Sequence, residues 1–130
     1  MARKYLNNIG IDDIPVGLKP EDPRWERWNK EIEEYGFPSY ETWNLDFHFY
    51  CWLYERLKMY LEVNCINLNF HKFNFEGNEY TQGELIDKML YGCELMLLSE
   101  CKYKKLTEDE EQAVNDVPWI WATVMPAMWW

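Results

Sequence analysis

Two four-residue signals constrain this chain more than any other feature. Thr81-x-x-Glu84 and Thr107-x-x-Glu110 both read as capping boxes. In each, the threonine hydroxyl can accept the N–H three residues on, and the glutamate can reach back to the threonine N–H. Each box marks a helix start, and apolar residues at helical spacing follow both. Leu85, Met89, Gly92, Cys93 and Met96 share one face of the first of these helices. Ala113, Val117, Ile120, Trp121, Val124 and Met128 mark the second. A proline inside a helix removes a backbone bond and clashes with the preceding turn, so Pro118 predicts a kink or break near Asp116.

Two further helices precede these. Asp22 can cap, Pro23 suits a first helical position, and Gly36 can close a left-handed end. Trp25, Trp28 and Ile32 fall on one face of that segment. From about Asn44 to Val63 the chain is apolar almost all round, with a solvent stripe only at Glu55, Lys58 and Glu62. A helix of that kind belongs at the centre of a bundle. The spacing therefore predicts four main helices near 23–35, 44–63, 82–99 and 108–129, the second most buried. Residues 1–22, with Pro15, Gly17 and Pro20, read as an extended N-terminal arm, and 23–130 as a single helical domain. Ile66, Leu68 and Phe70 alternate with polar residues, so a short strand pair or an aromatic loop is expected near 65–76. The fold class expected is all-α, a small bundle of about four main helices.

Charge narrows the function classes. The formal net charge is −10. Residues 1–30 carry six basic and five acidic side chains, +1. Residues 31–130 carry seven basic and eighteen acidic, −11. Phosphate-backbone contacts need Lys or Arg, so direct nucleic-acid binding by this body is disfavoured. An acidic body is either solvated or suited to basic protein partners. The start, MARKYLNNIG, lacks the apolar core of a secretion signal, and no apolar run reaches membrane-spanning length. Cys51, Cys65, Cys93 and Cys101 form no C-x-x-C pair and read as free thiols of a reducing cytoplasm.

No catalytic set emerges. Glu31-x-x-Glu34 and Glu84-x-x-Asp87 each place two acids on one helix face. Paired acids of this kind hold Mg²⁺ in all-α nucleotide pyrophosphatases, because a hard cation wants several carboxylate oxygens. A solvated acidic face is the favoured reading, since Glu84 is already a capping residue. His48 and His71 lack partners at ligand spacing, so no zinc site, metal or cofactor is assigned. Arg56 flanks an apolar face through Trp52, Leu53 and Tyr60. A buried arginine must find an acid, and Asp87 or Glu94 could supply it.

The composition holds eight Trp, nine Tyr and six Phe. One small core cannot hide that much ring surface at about 150–250 Å² each. Trp119, Trp121, Trp129 and Trp130 crowd the last twelve positions, and Trp is enriched at binding hot spots. These four rings, with Arg56, are the candidate binding residues. Val117–Trp130 is the longest uncharged run. It is the expected interface with a protein partner, whether a second copy or a host protein.

From Phe37 onward the sequence resembles a family of small, acidic, uncharacterised proteins encoded by tailed bacteriophages. The resemblance rests on Glu41–Asp46 (ETWNLD) with Trp52–Lys58 (WLYERLK), on Glu84–Glu94 (ELIDKMLYGCE), and on Thr107–Glu111 (TEDEE) leading to an aromatic C-terminal helix. Pro118 and the Phe-rich 66–76 segment depart from the family pattern. The resemblance implies a phage origin and the host cytoplasm, and carries no activity. The expected function is a non-enzymatic accessory protein that binds or inhibits a host defence protein. The alternatives are a nucleotide or small-molecule binder using Trp and Tyr stacking, and a Mg²⁺-dependent pyrophosphatase-like enzyme.

Overall fold

A computed structural model describes residues 3–11, 19 and 21–128. The chain is mainly helical, with one short antiparallel strand pair. It divides into two compact units, Met1–Phe49 and Tyr50–Trp130, where sequence reading places an arm and one domain.

In the first unit, α1 (Lys4–Asn8) replaces part of the expected extended arm. Gly10 at φ 81° lets the chain turn back, so the Ile9 and Ile11 N–H groups both donate to the Leu6 carbonyl. Leu6 and Ile11 are buried. Two apolar anchors and a glycine stop were enough for one closed turn. Asp22 initiates α2 (Arg24–Tyr35) as expected: its Oδ1 accepts the Arg24 N–H at 2.9 Å. Gly36, at φ 89°, ends it. The Glu31 carboxylate accepts the Ser39 N–H and, at 3.0 Å, the Ser39 hydroxyl. That pins the end of α2 to the 3₁₀ turn Ser39–Thr42.

The helix α3 (Leu45–Val63) lies within a residue of its expected start, and the division between units falls inside it. It is not the most buried helix. Leu45, Trp52, Met59 and Val63 are exposed, whereas α4 (Gln82–Lys102) buries residues through most of its length. An all-round apolar composition overstated α3, because long rings and a thioether can lie on a surface as well as in a core.

A short strand pair does form near 65–76, its first strand inside that segment and its second just beyond it. The strands are β1 (Lys72–Phe75) and β2 (Asn78–Thr81), paired in register Lys72↔Thr81 to Phe75↔Asn78. Glu76 and Gly77 both have positive φ, 51° and 79°, the two-residue hairpin turn whose twist matches the strands. Ile66, Leu68 and Phe70 do not form a strand. The Asn67 side chain accepts the Asn69 N–H at 2.9 Å and its carbonyl accepts the Phe70 N–H at 3.2 Å, so a turn captures the donors a strand would need.

Both capping boxes close as read: Thr81 opens α4 and Thr107 opens α5 (Glu108–Val124). α4 runs one turn past its expected end, through Lys102, and stops at Tyr103 in the left-handed region. α4 and α5 pack together. At Gly92 a methyl group would land on Val117 Cγ2 and the Ala113 carbonyl, so only glycine admits this approach. Around it lies an aliphatic core of Leu85, Ile86, Met89, Cys93, Val117 and Ile120.

Pro118 does not break α5, which runs through it. The carbonyl left without its helical donor is that of Val114, four residues back. Tyr50 supplies the missing donor: its buried hydroxyl donates to the Val114 carbonyl at 2.8 Å. The proline is tolerated because a side chain from α3 replaces the lost backbone bond.

Candidate interaction surface

The rings expected to bind do not form one group. α5 projects Trp119 and Trp121 about 200° apart, because each residue advances about 100°. Trp119 stands 72% exposed on the outer side. Its backbone carbonyl accepts the Thr123 hydroxyl at 2.9 Å. Trp121 is half-buried and meets Trp52 edge to face, ring centroids 6.2 Å apart. Trp129 and Trp130 lie outside the described residues.

Arg56 is corrected from buried to exposed. Its guanidinium lies over the Trp52 ring, 5.3 Å from the centroid, and sits 3.7 Å from the Glu55 carboxylate. Asp87 and Glu94 are not its partners. The i, i+4 spacing of Trp52 and Arg56 lets the long side chain fold back over the ring and stay in water. Trp52 therefore brings Arg56 and Trp121 into one half-exposed cluster. Sequence reasoning had placed Trp52 in the core, although its spacing from Arg56 signalled the pair.

The outer stripe of α5, which carries Trp119, is exposed along its length. Glu111, Asn115, Pro118, Trp119, Ala122 and Met125 follow one another along it, all exposed. Its C-terminal part has no charge, and its first turn is acidic. By contrast, the cleft lined by Ile66, Asn67, Phe70, His71 and Ala127 is small, about 220 Å³. That is below the roughly 300–1,000 Å³ of ordinary small-molecule sites.

The first unit holds a second set of rings. Trp28 contacts Trp25, Tyr40 and Trp43 edge-on, with centroids at 5.0, 5.1 and 5.9 Å. His48 borders this set, 6.2 Å from Tyr40. Burial holds its imidazole below the usual value, while the Glu41 carboxylate works the other way.

No protein-family model, curated protein or solved structure matches this chain.

The carboxylates considered as metal ligands serve local roles. Hydrogen bonds from Ser39 hold Glu31 below the usual carboxylate range, and those with Thr81 do the same for Glu84. Among the described residues, no group of three or more His, Cys, Asp or Glu is placed to hold a metal ion. The four cysteines are free. Burial pushes the Cys93 thiol far up, which leaves it a small apolar group rather than a nucleophile. No described helix is long and apolar enough to cross a membrane.

Proposed function

We propose that this chain is a non-enzymatic accessory protein of a tailed bacteriophage, acting in the host cytoplasm by binding a host protein. Inhibition of a host defence protein is the specific form of that reading. One observation carries it: a tryptophan 72% exposed in the middle of a well-packed helix. An indole left in water forfeits roughly 2 kcal/mol of burial free energy, and a partner recovers it. The neighbouring Ala122 and Met125 extend the apolar surface along the same stripe.

The test places a photo-crosslinking amino acid at position 119 in host cells. Position 103, where Tyr103 is 90% exposed on a different segment, is the control. The reading predicts a discrete adduct from 119 and none from 103. Equal labelling at both positions, or none, contradicts it.

The cluster of Arg56, Trp52 and Trp121 favours a second reading, a binder of nucleotides or similar anions with an aromatic ring. The guanidinium would meet phosphate and Trp52 would stack the base. Equilibrium dialysis with ATP, repeated on Arg56→Ala, tests it. Retention abolished by the substitution supports it, and absence of retention by the intact chain overturns it.

A further inference from the structure

The outer stripe of α5 changes character along its length. Glu108 and Glu111 are exposed at its start. Glu110, beside them, caps the helix and pairs with Lys104 at 3.5 Å. Further along the stripe stand Gln112 and Asn115, which carry no charge, and then Pro118, Trp119, Ala122 and Met125. From Leu106 to Trp130 the sequence contains no Lys or Arg.

The helix dipole accounts for acids in a first turn. It favours cations in the last turn equally, and there are none. A face whose task is only to stay in water mixes both signs and keeps large rings out. This one is acidic at one end, apolar at the other, and without a cation throughout. Glu111 and Trp119 are eight residues apart, so the two characters sit about 12 Å apart along the axis.

Resting on the interaction reading above, we infer that this stripe docks into a groove on a basic protein partner. An apolar pocket of the partner receives Trp119, with Ala122 and Met125 alongside. Lys or Arg at the far end of the groove meets Glu108 and Glu111. This is recognition of a helix by a groove, with anchors at i, i+3 and i+6 and charge setting the direction. A second copy of the chain is not the occupant. Each copy carries −10, and α5 supplies no cation to face its own acids.

The test titrates the full chain with two synthetic amphipathic helices of about 18 residues, long enough to span the stripe. Both carry the same Leu/Ala apolar face. One has Lys on its polar face and the other Glu. The Lys helix is expected to bind at least about tenfold tighter than the Glu helix, and to weaken as salt rises from about 50 to about 200 mM. Trp119→Ala should weaken the Lys helix about tenfold or more. Glu108→Gln/Glu111→Gln should weaken it severalfold and flatten the salt dependence. The charge-matched control Glu33→Gln/Glu34→Gln, on exposed acids of α2, should change it less than about twofold. All these residues are exposed, and a circular-dichroism melt of each variant confirms that it folds.

Equal weakening by the control pair overturns the inference in favour of diffuse charge attraction. Equal binding of the Glu helix, or no change in Trp119→Ala, overturns it directly. Self-association of the intact chain that Trp119→Ala abolishes would make a second copy the occupant. A crosslink from position 119 to a host protein without a basic groove would retain the interaction reading and overturn this one.

Discussion

In residues 1–49 a buried tryptophan is ringed by other aromatic side chains, whereas in residues 50–130 the rings meet cations and a backbone carbonyl as well as one another. In the first unit, Trp28 is completely buried among Trp25, Tyr40 and Trp43. Among the described residues its indole N–H has no hydrogen-bond acceptor. Edge-on neighbours present ring faces to such a donor, which compensates part of that cost. In the second unit the core is largely aliphatic, with Tyr50 and Tyr54 buried in it, and Trp52 and Trp119 are exposed. Trp52 carries Arg56, Tyr54 carries Lys58, and Tyr80 carries Lys88. Tyr50 reaches the Val114 carbonyl, and Trp119 stands exposed. Tryptophan therefore serves the core in one unit and the surface in the other. What separates them is whether an aliphatic scaffold is already present to hold the fold.

The largest effect that would break this comparison is at Trp28. Trp28→Ala should cost about 3–5 kcal/mol, the range for emptying a buried indole site. Trp52→Ala, at a half-exposed site, should cost about 1 kcal/mol or less. Denaturant unfolding of both variants checks the contrast. Similar losses would mean that the rings of the two units do the same work.

Next in size is the bond that lets α5 tolerate proline. Tyr50→Phe removes the donor to the Val114 carbonyl and leaves a buried acceptor unpaired, at about 1–3 kcal/mol. Pro118→Ala restores a helical N–H for that carbonyl. In the Pro118→Ala background the Tyr50→Phe loss should shrink to under about 1 kcal/mol, a coupling that a double-mutant cycle reads. An unchanged loss would show that the hydroxyl does not stand in for the missing backbone bond.

These cases also mark what was legible in the sequence. Helix starts were, because Thr81, Thr107 and Asp22 satisfy backbone donors within their own segment. Local chemistry suffices for local structure. The fate of Pro118 was not legible, since its compensation comes from Tyr50, sixty-four residues from Val114. The hairpin's start was misplaced for a different reason. Alternation at Ile66, Leu68 and Phe70 matched a strand, yet the Asn67 side chain won the competition for nearby N–H groups. The real turn, Glu76-Gly77, places a glutamate at φ 51°, outside the usual Asn-Gly signal. Among the candidate binding residues, the separation of Trp119 from Trp121 follows from helical geometry alone. The junction of Trp121 with Arg56 through Trp52 needed two helices brought together.

A smaller effect concerns pH, and both units contribute with the same sign. The Arg24 side chain and N–H bonded to Asp22 hold its carboxyl down at about 2, against an ordinary 3.8. Hydrogen bonds from Ser39, Thr81 and Thr107 hold Glu31, Glu84 and Glu110 below 4.5. A depressed carboxyl stabilises the fold above its ordinary value and loses that contribution as pH falls through the folded value. Burial of His48 depresses its imidazole below 6.5, so protonation favours the unfolded chain as pH drops past that point. The thermal midpoint should thus decline on acidification from pH 6.5 and fall more steeply below 4.5. His48→Gln should remove the upper part of the decline and leave the lower. A midpoint that rises on acidification would contradict both assignments.

The account turns on one ring that does not serve the fold. Trp119→Ala, measured for thermal midpoint and for binding to the Lys-faced helix in the same preparation, addresses this directly. The account predicts a midpoint within about 1–2 °C of the parent, as for an exposed position, while binding weakens about tenfold. A midpoint lowered by about 5 °C or more with binding intact would contradict it, and would return Trp119 to the core.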